Sequence, residues 1–173
     1  EVPLEDIQEA LRFVRKNAER LGVDPEQVGV CGGSAGGHLA AYTSTFTPDE
    51  EKPDFSILFY PVITGETWES HQDSFAQLLG KKRTIAEQEY YSLHNRVTPT
   101  TPPALILLSD DDAEVPTLSS ILYYNALKYY GIPASMHIWP NEGHGWAAKP
   151  WCTCWDKAKP IIEDWLSIQR KNQ

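Results

Sequence analysis

Ser34 stands where a serine can become a nucleophile. It is the centre of Gly32-Gly33-Ser34-Ala35-Gly36, with Val28, Val30 and Cys31 before it as a strand-like run and an Ala/Leu-rich helical run after it. A strand that turns sharply into a helix at a serine lifts the hydroxyl above the sheet and holds that residue in a strained backbone conformation. Such a turn leaves no room for side chains two residues to either side, the expected role of Gly32 and Gly36. The hydroxyl then lies at a helix N-terminus, where the backbone N–H of Ala35 can hold an oxyanion. The bland alternative is a glycine-rich turn whose serine faces solvent.

A nucleophilic serine needs a general base and a group that orients the base. Two loops further along the chain supply both. Residues 104–109 form a continuous apolar run, as expected of a strand covered on both faces, and lead into Asp110-Asp111-Asp112-Ala113-Glu114-Val115-Pro116. Residues 134–140 read as another strand and lead into Asn141-Glu142-Gly143-His144-Gly145-Trp146. His144 is the candidate base and one of Asp110, Asp111 and Asp112 the candidate acid. Both loops follow the C-terminal ends of strands, where open parallel sheets place their sites.

The elements that must position these residues follow from periodicity. Leu4, Ile7, Leu11, Val14, Ala18 and Leu21 recur at helical spacing, and Gly22 stops them. Residues 28–31 are the strand before the turn, 35–44 the helix after it, and 55–60 the next strand, closed by Pro61. Residues 62–102 are less regular, with short helices expected near 72–79 and 84–92, and such an insert can overhang a site as a cap. Helices over 117–130 and 156–170 complete the chain. Strands alternating with helices imply one α/β domain over residues 1–173 with a parallel sheet.

Three segments in this order, Gly-Gly-Ser-Ala-Gly-Gly-His at 32–38, Asp-Asp-Ala-Glu-Val-Pro at 111–116 and Gly-His-Gly-Trp at 143–146, carry a family resemblance. Over nearly its whole length the chain resembles the α/β-hydrolase superfamily, in particular the small carboxylesterases that include acetyl-xylan and related carbohydrate esterases. The resemblance implies an α/β-hydrolase-type parallel sheet with flanking helices. It assigns the acid to Asp112, the residue four before the proline of an Asp-x-x-Val-Pro segment. It also implies strands N-terminal to this region, one followed by a His-Gly-Gly-type loop that donates the second oxyanion N–H. This chain has no such loop. It therefore looks like the C-terminal two-thirds of a domain with N-terminal strands missing. The open edge at residues 28–32 would then be completed by a second chain or an N-terminal fragment.

Other residues are secondary. Gly33, His38 and Trp146 are candidates for substrate contact, and Trp68, Trp139 and Trp151 add aromatic faces of a kind that suits sugars. Asp110 and Asp111 read as solvated loop carboxylates, and Cys31 as a buried strand residue. Cys152 and Cys154 are spaced too closely for a redox pair, and no His, Cys and carboxylate set has metal-ligand spacing, so neither metal nor cofactor is expected. Three cysteines in 173 residues form no disulfide framework. A net charge of −9 argues against a nucleic-acid partner, and no apolar run approaches a membrane span. The chain does not begin with methionine, so secreted and periplasmic settings stay open.

The implied reaction is transfer of a short acyl group, acetyl on carbohydrate foremost, from an ester to water through Ser34. Two alternatives share the residue order: a serine peptidase of the prolyl-oligopeptidase type, and a non-catalytic interaction module that keeps the fold.

Overall fold

Four short runs that pair in register make the frame for the site. In the computed structural model, which describes residues 2–66 and 70–171, they are β1 (Val30–Gly33), β2 (Ser56–Phe59), β3 (Ala104–Ser109) and β4 (Ala134–Trp139). All pair parallel, in the order β1-β2-β3-β4. Parallel neighbours need crossovers, and helices supply them. α1 (Val2–Lys16) and α2 (Ala18–Leu21) precede β1, and α3 (Ala35–Phe46) follows it. α4 (Gln72–Leu79) and α5 (Ile85–Tyr91) lie between β2 and β3. α6 (Thr117–Tyr129) joins β3 to β4, and α7 (Cys154–Lys171) closes the chain. No helix is long and apolar enough to cross a membrane among the described residues.

The core sits on β2 and β3. Every residue of both strands is buried, and Leu58, Leu105, Ile106 and Leu107 are wholly inaccessible. Each such side chain contributes about 2 kcal/mol of hydrophobic burial. Both α6 and α7 touch β3, and Tyr123, Leu127, Ala158 and Trp165 join the same cluster. That double cover explains the continuous apolar run of residues 104–109.

Three local departures from the sequence-based expectations have physical causes. The first helix breaks at Asn17, whose side-chain amide donates to Phe13 O at 2.8 Å and competes with the helical backbone. Gly22 then ends α2 in the left-handed conformation. The strand expected at 28–31 is shifted to Val30–Gly33. Val28 is instead tied to Asp54, through its N–H to Oδ2 at 2.7 Å and its carbonyl to Asp54 N–H at 3.0 Å. Cys31, expected to be buried, is exposed, because β1 is an edge strand and no strand lies on its other side among the described residues. Val30 and Ser34 direct their N–H groups at Phe55 O and Phe59 O, so by parallel alternation the N–H groups of Cys31 and Gly33 point to the open side.

Candidate active site

The parallel order puts the C-terminal ends of all four strands along one rim. Ser34 follows β1, Tyr60 follows β2, Asp112 lies in the loop after β3 and His144 in the loop after β4. Ser34 has φ 56° and ψ −122°, outside the comfortable regions for an L-residue. Three backbone hydrogen bonds hold it there. Its N–H donates to Phe59 O at 3.0 Å, and its carbonyl accepts from His38 N–H at 3.1 Å and Val62 N–H at 3.2 Å. A Cβ on Gly32 would come within 2.1 Å of Gly36 O, so no side chain fits there. The expectation for Gly36 is corrected, since a Cβ at that position meets nothing within 4 Å. The second obligatory glycine is Gly37, where a Cβ would press to 2.7 Å from Pro61 Cβ.

A hydrogen-bonded line runs from this serine into the molecule. His144 Nε2 lies 2.9 Å from Ser34 Oγ, and His144 Nδ1 lies 2.7 Å from Asp112 Oδ2. An ionised carboxylate can only accept, so Nδ1 carries the proton and Nε2 presents a lone pair to the serine hydroxyl. Asp112 is 1% exposed at its side chain and His144 11%. The other oxygen of Asp112 accepts from Glu114 N–H and Val115 N–H, both at 2.9 Å, which fixes the carboxylate plane.

The histidine loop is itself fastened to the end of β3. Ser109 Oγ donates to Asp111 Oδ1 at 2.5 Å and accepts from Glu142 N–H at 2.8 Å. Asp111 Oδ1 also accepts from Gly143 N–H at 2.8 Å. Hydrogen bonds from Ser109 and then from Gly143 hold the Asp111 carboxyl below the ordinary carboxylate value. Gly143 and Gly145, at φ 65° and 74°, give the loop the two reversals that bring the imidazole between them.

This geometry can be set beside known proteins. A protein-family model described as the prolyl oligopeptidase family matches residues 1–156. The chain belongs to that family. It is 37% identical over 172 residues to an acetylxylan esterase of Xylanibacter ruminicola, a match covering 95% of this chain and 35% of that protein. It is also 37% identical over 154 residues to an endo-1,4-beta-xylanase B of Butyrivibrio fibrisolvens, covering 83% of this chain and 24% of the relative. Among solved structures, an acetyl ester-xyloside bifunctional hydrolase from Caldicellulosiruptor lactoaceticus superposes with a TM-score of 0.82 at 33% identity, over 95% of this chain and 64% of that one. The four-stranded parallel sheet with flanking helices is thus of the α/β-hydrolase type. The chain spans only a quarter to a third of the length of the two curated relatives.

Within this family member the remaining candidates fall in different places. Ala35 opens α3, and the first helical hydrogen bond is donated by His38 N–H to Ser34 O, so the Ala35 N–H has no helical partner. Gly33 borders a cavity of about 390 Å³ that Ser34, Tyr60 and His144 also line. His38 points its Nε2–H at Tyr91 O, 3.0 Å away, and burial pushes its pKa down. Its ring packs on Phe75 and borders a second cavity, of about 300 Å³, with Ala35, Val62 and Tyr91. Trp146 is corrected as a substrate contact. Its side chain is wholly buried among Phe59, Tyr60, Trp139 and Trp155, which anchors the segment just after the histidine in the core. Trp68 lies outside the described residues. Asp111, read from sequence as a solvated carboxylate, is exposed but fastens the loop. Ser109 and Tyr60 went unrecognised as site residues. A serine ending an apolar strand just before an aspartate cluster was a usable signal for the first, whereas nothing in the sequence singles out the second.

Proposed function

We propose that this chain carries the acyl-transfer centre of a serine esterase that removes short acyl groups, acetyl on carbohydrate foremost. The observation that carries the reading is the continuous line Ser34 Oγ, His144 Nε2, His144 Nδ1, Asp112 Oδ2, with both links at 2.9 Å or less. Names of the relatives, an acetylxylan esterase and an acetyl ester-xyloside hydrolase, support the choice of substrate.

In this mechanism His144 Nε2 takes the Ser34 proton as Oγ forms a bond to the ester carbonyl carbon. The carbonyl π pair moves onto oxygen, where the Ala35 N–H faces it. Collapse of the tetrahedral intermediate breaks the bond to the alcohol oxygen, which leaves with the proton held by His144. Water then gives a proton to His144, attacks the acyl-enzyme and releases the carboxylic acid, and the proton returns to Ser34. Asp112 keeps the imidazole in the tautomer that can accept and stabilises the imidazolium. A further backbone segment lying along the open side of β1 would supply the second oxyanion donor. We read residues 62–102 as the overhanging wall of the site, because Val62 and Tyr91 line the same cavity as Ala35.

The test is hydrolysis of p-nitrophenyl acetate, butyrate and octanoate, and of acetylated xylan, by the full-length protein and its Ser34→Ala variant. Expected are a preference for acetyl, acetate release from xylan, and loss of about 10⁶-fold in kcat with an unchanged melting curve. Retained turnover in the variant removes Ser34 as nucleophile, and a preference for octanoyl esters removes the substrate class. The family's name favours one rival, peptide cleavage, and faster turnover of proline-containing peptides than of acetyl esters would establish it.

A further inference from the structure

Among the described residues only two that are not glycine have positive φ, Ser34 at 56° and Tyr60 at 36°. Strained backbone of this kind persists where the surroundings enforce it, and it gathers at working sites. The two residues are neighbours across the sheet. Ser34 N–H donates to Phe59 O, and Tyr60 N–H donates to Leu107 O at 2.8 Å, each prolonging the ladder one step past its strand. The chain is thereby bent at two adjacent points on the rim, and the second bend serves to aim a side chain.

That side chain is buried, 4% exposed, and spans the gap between the elbow and the histidine loop. On one side its ring lies over Gly33, where an added Cβ would approach Tyr60 Cε2 to 3.1 Å and the hydroxyl to 3.2 Å. The absence of a side chain at Gly33 therefore makes space for the ring. On the other side the ring meets the His144 imidazole, with centroids 4.7 Å apart and planes at 61°. Trp146 backs it at 5.8 Å. The far end reaches the turn after the histidine. Burial raises the Tyr60 pKa, and backbone N–H groups of Ala147 and Ala148 act against that rise.

We propose that Tyr60 is a positioning residue whose ring keeps the His144 imidazole in the plane that points Nε2 at Ser34 Oγ. This rests on the acyl-transfer reading above. Asp112 fixes the imidazole only at Nδ1, and one hydrogen bond leaves the ring free to tilt about that contact. The Tyr60 ring, packed edge-on against the imidazole, closes one direction of that tilt. In this role it acts through His144, so it acts on the chemical step and not on substrate affinity.

The experiment compares Tyr60→Leu and Tyr60→Phe in the full-length protein. Leucine is equally strained at positive φ, so the comparison isolates the ring. In Tyr60→Leu, kcat for p-nitrophenyl acetate is expected to fall on the order of 10- to 100-fold with KM within about twofold, the penalty typical of a misplaced catalytic group. Tyr60→Phe is expected to recover most of that loss. The low-field proton resonance of His144 Nδ1–H should broaden or vanish in Tyr60→Leu and persist in Tyr60→Phe. Should Tyr60→Leu not fold, Tyr60→Met replaces it. An unchanged kcat in the leucine variant, a change confined to KM, or an equal loss in Tyr60→Phe overturns the proposal. Absence of ester hydrolysis by the unaltered protein defeats the esterase reading instead, and the resonance still decides whether Tyr60 positions His144.

Discussion

The two flanks of Ser34 are built to different standards. Toward His144 the loops are tied down within the chain: Asp112 by His144, Glu114 and Val115, Asp111 and Ser109 by the backbone of residues 142–143. Trp146 and Tyr60 pack that side shut. Toward β1 the surface is open. Cys31, Ala35 and Gly36 are exposed, a Cβ on Gly36 meets nothing, and the strand has pairing on one side alone among the described residues. Proton transfer needs several groups held to tenths of an ångström, and the closed flank has that order. Stabilising an oxyanion needs N–H groups pointed at one spot, and in the proposed mechanism the open flank of this chain brings one, from Ala35.

Asp112→Asn attacks the closed flank at its base. Asparagine can still accept from Glu114 and Val115 through Oδ1, but it presents an N–H to Nδ1 and selects the wrong imidazole tautomer. In the full-length protein kcat should drop about 10⁴-fold with little change in Tm. If a segment pairs along the open flank, the amide protons of Cys31 and Gly33 will exchange far more slowly in the full-length protein than those of exposed loop residues, as read by hydrogen exchange. Rapid exchange at both positions would mean that flank stays bare. Two glycine substitutions sharpen the contrast further. Gly32→Ala forces a methyl to 2.1 Å from Gly36 O and should cost about 3 kcal/mol, whereas Gly36→Ala enters open space at the start of a helix and should gain about 0.5 kcal/mol. Thermal unfolding of the two variants checks both signs. The smallest effect concerns acid. The folded Asp111 value lies below its ordinary 3.8, so its contribution is fully present above that pH and fades as pH falls through the folded value. Exchange of the Gly143 amide should therefore quicken selectively below about pH 4.

The course of the chain was readable where one physical demand dominated. Residues 104–109 are apolar throughout because both faces are covered, and β3 has those bounds. Ser34 and His144 are legible from their strand-end loops, the family resemblance selects Asp112 from three neighbouring aspartates, and the structure brings the three into hydrogen-bond reach. What escaped depended on neighbours distant in sequence. Gly32 and Gly33 have no strand preference, yet β2 recruits them into the ladder opposite Leu58 and Phe59. Cys31 looked like a core residue because its type is usually buried, and only the absence of a neighbouring strand exposes it. Tyr60 and Trp146 are aromatic residues of ordinary kinds, and their places, one against His144 and the other against Tyr60, come from contacts distant in sequence.

That sheet order also sets a timetable. Strands β1 to β4 lie side by side in the order in which a ribosome emits them, so β2, β3 and β4 each find a neighbour already made. Ser34 emerges directly after β1 and His144 in the loop after β4, 110 residues later. An unfinished chain therefore holds Ser34 without the imidazole that faces it in the folded molecule. The hydrogen-bonded line from Ser34 to Asp112 is thus completed only when the loop after the last of these strands is in place.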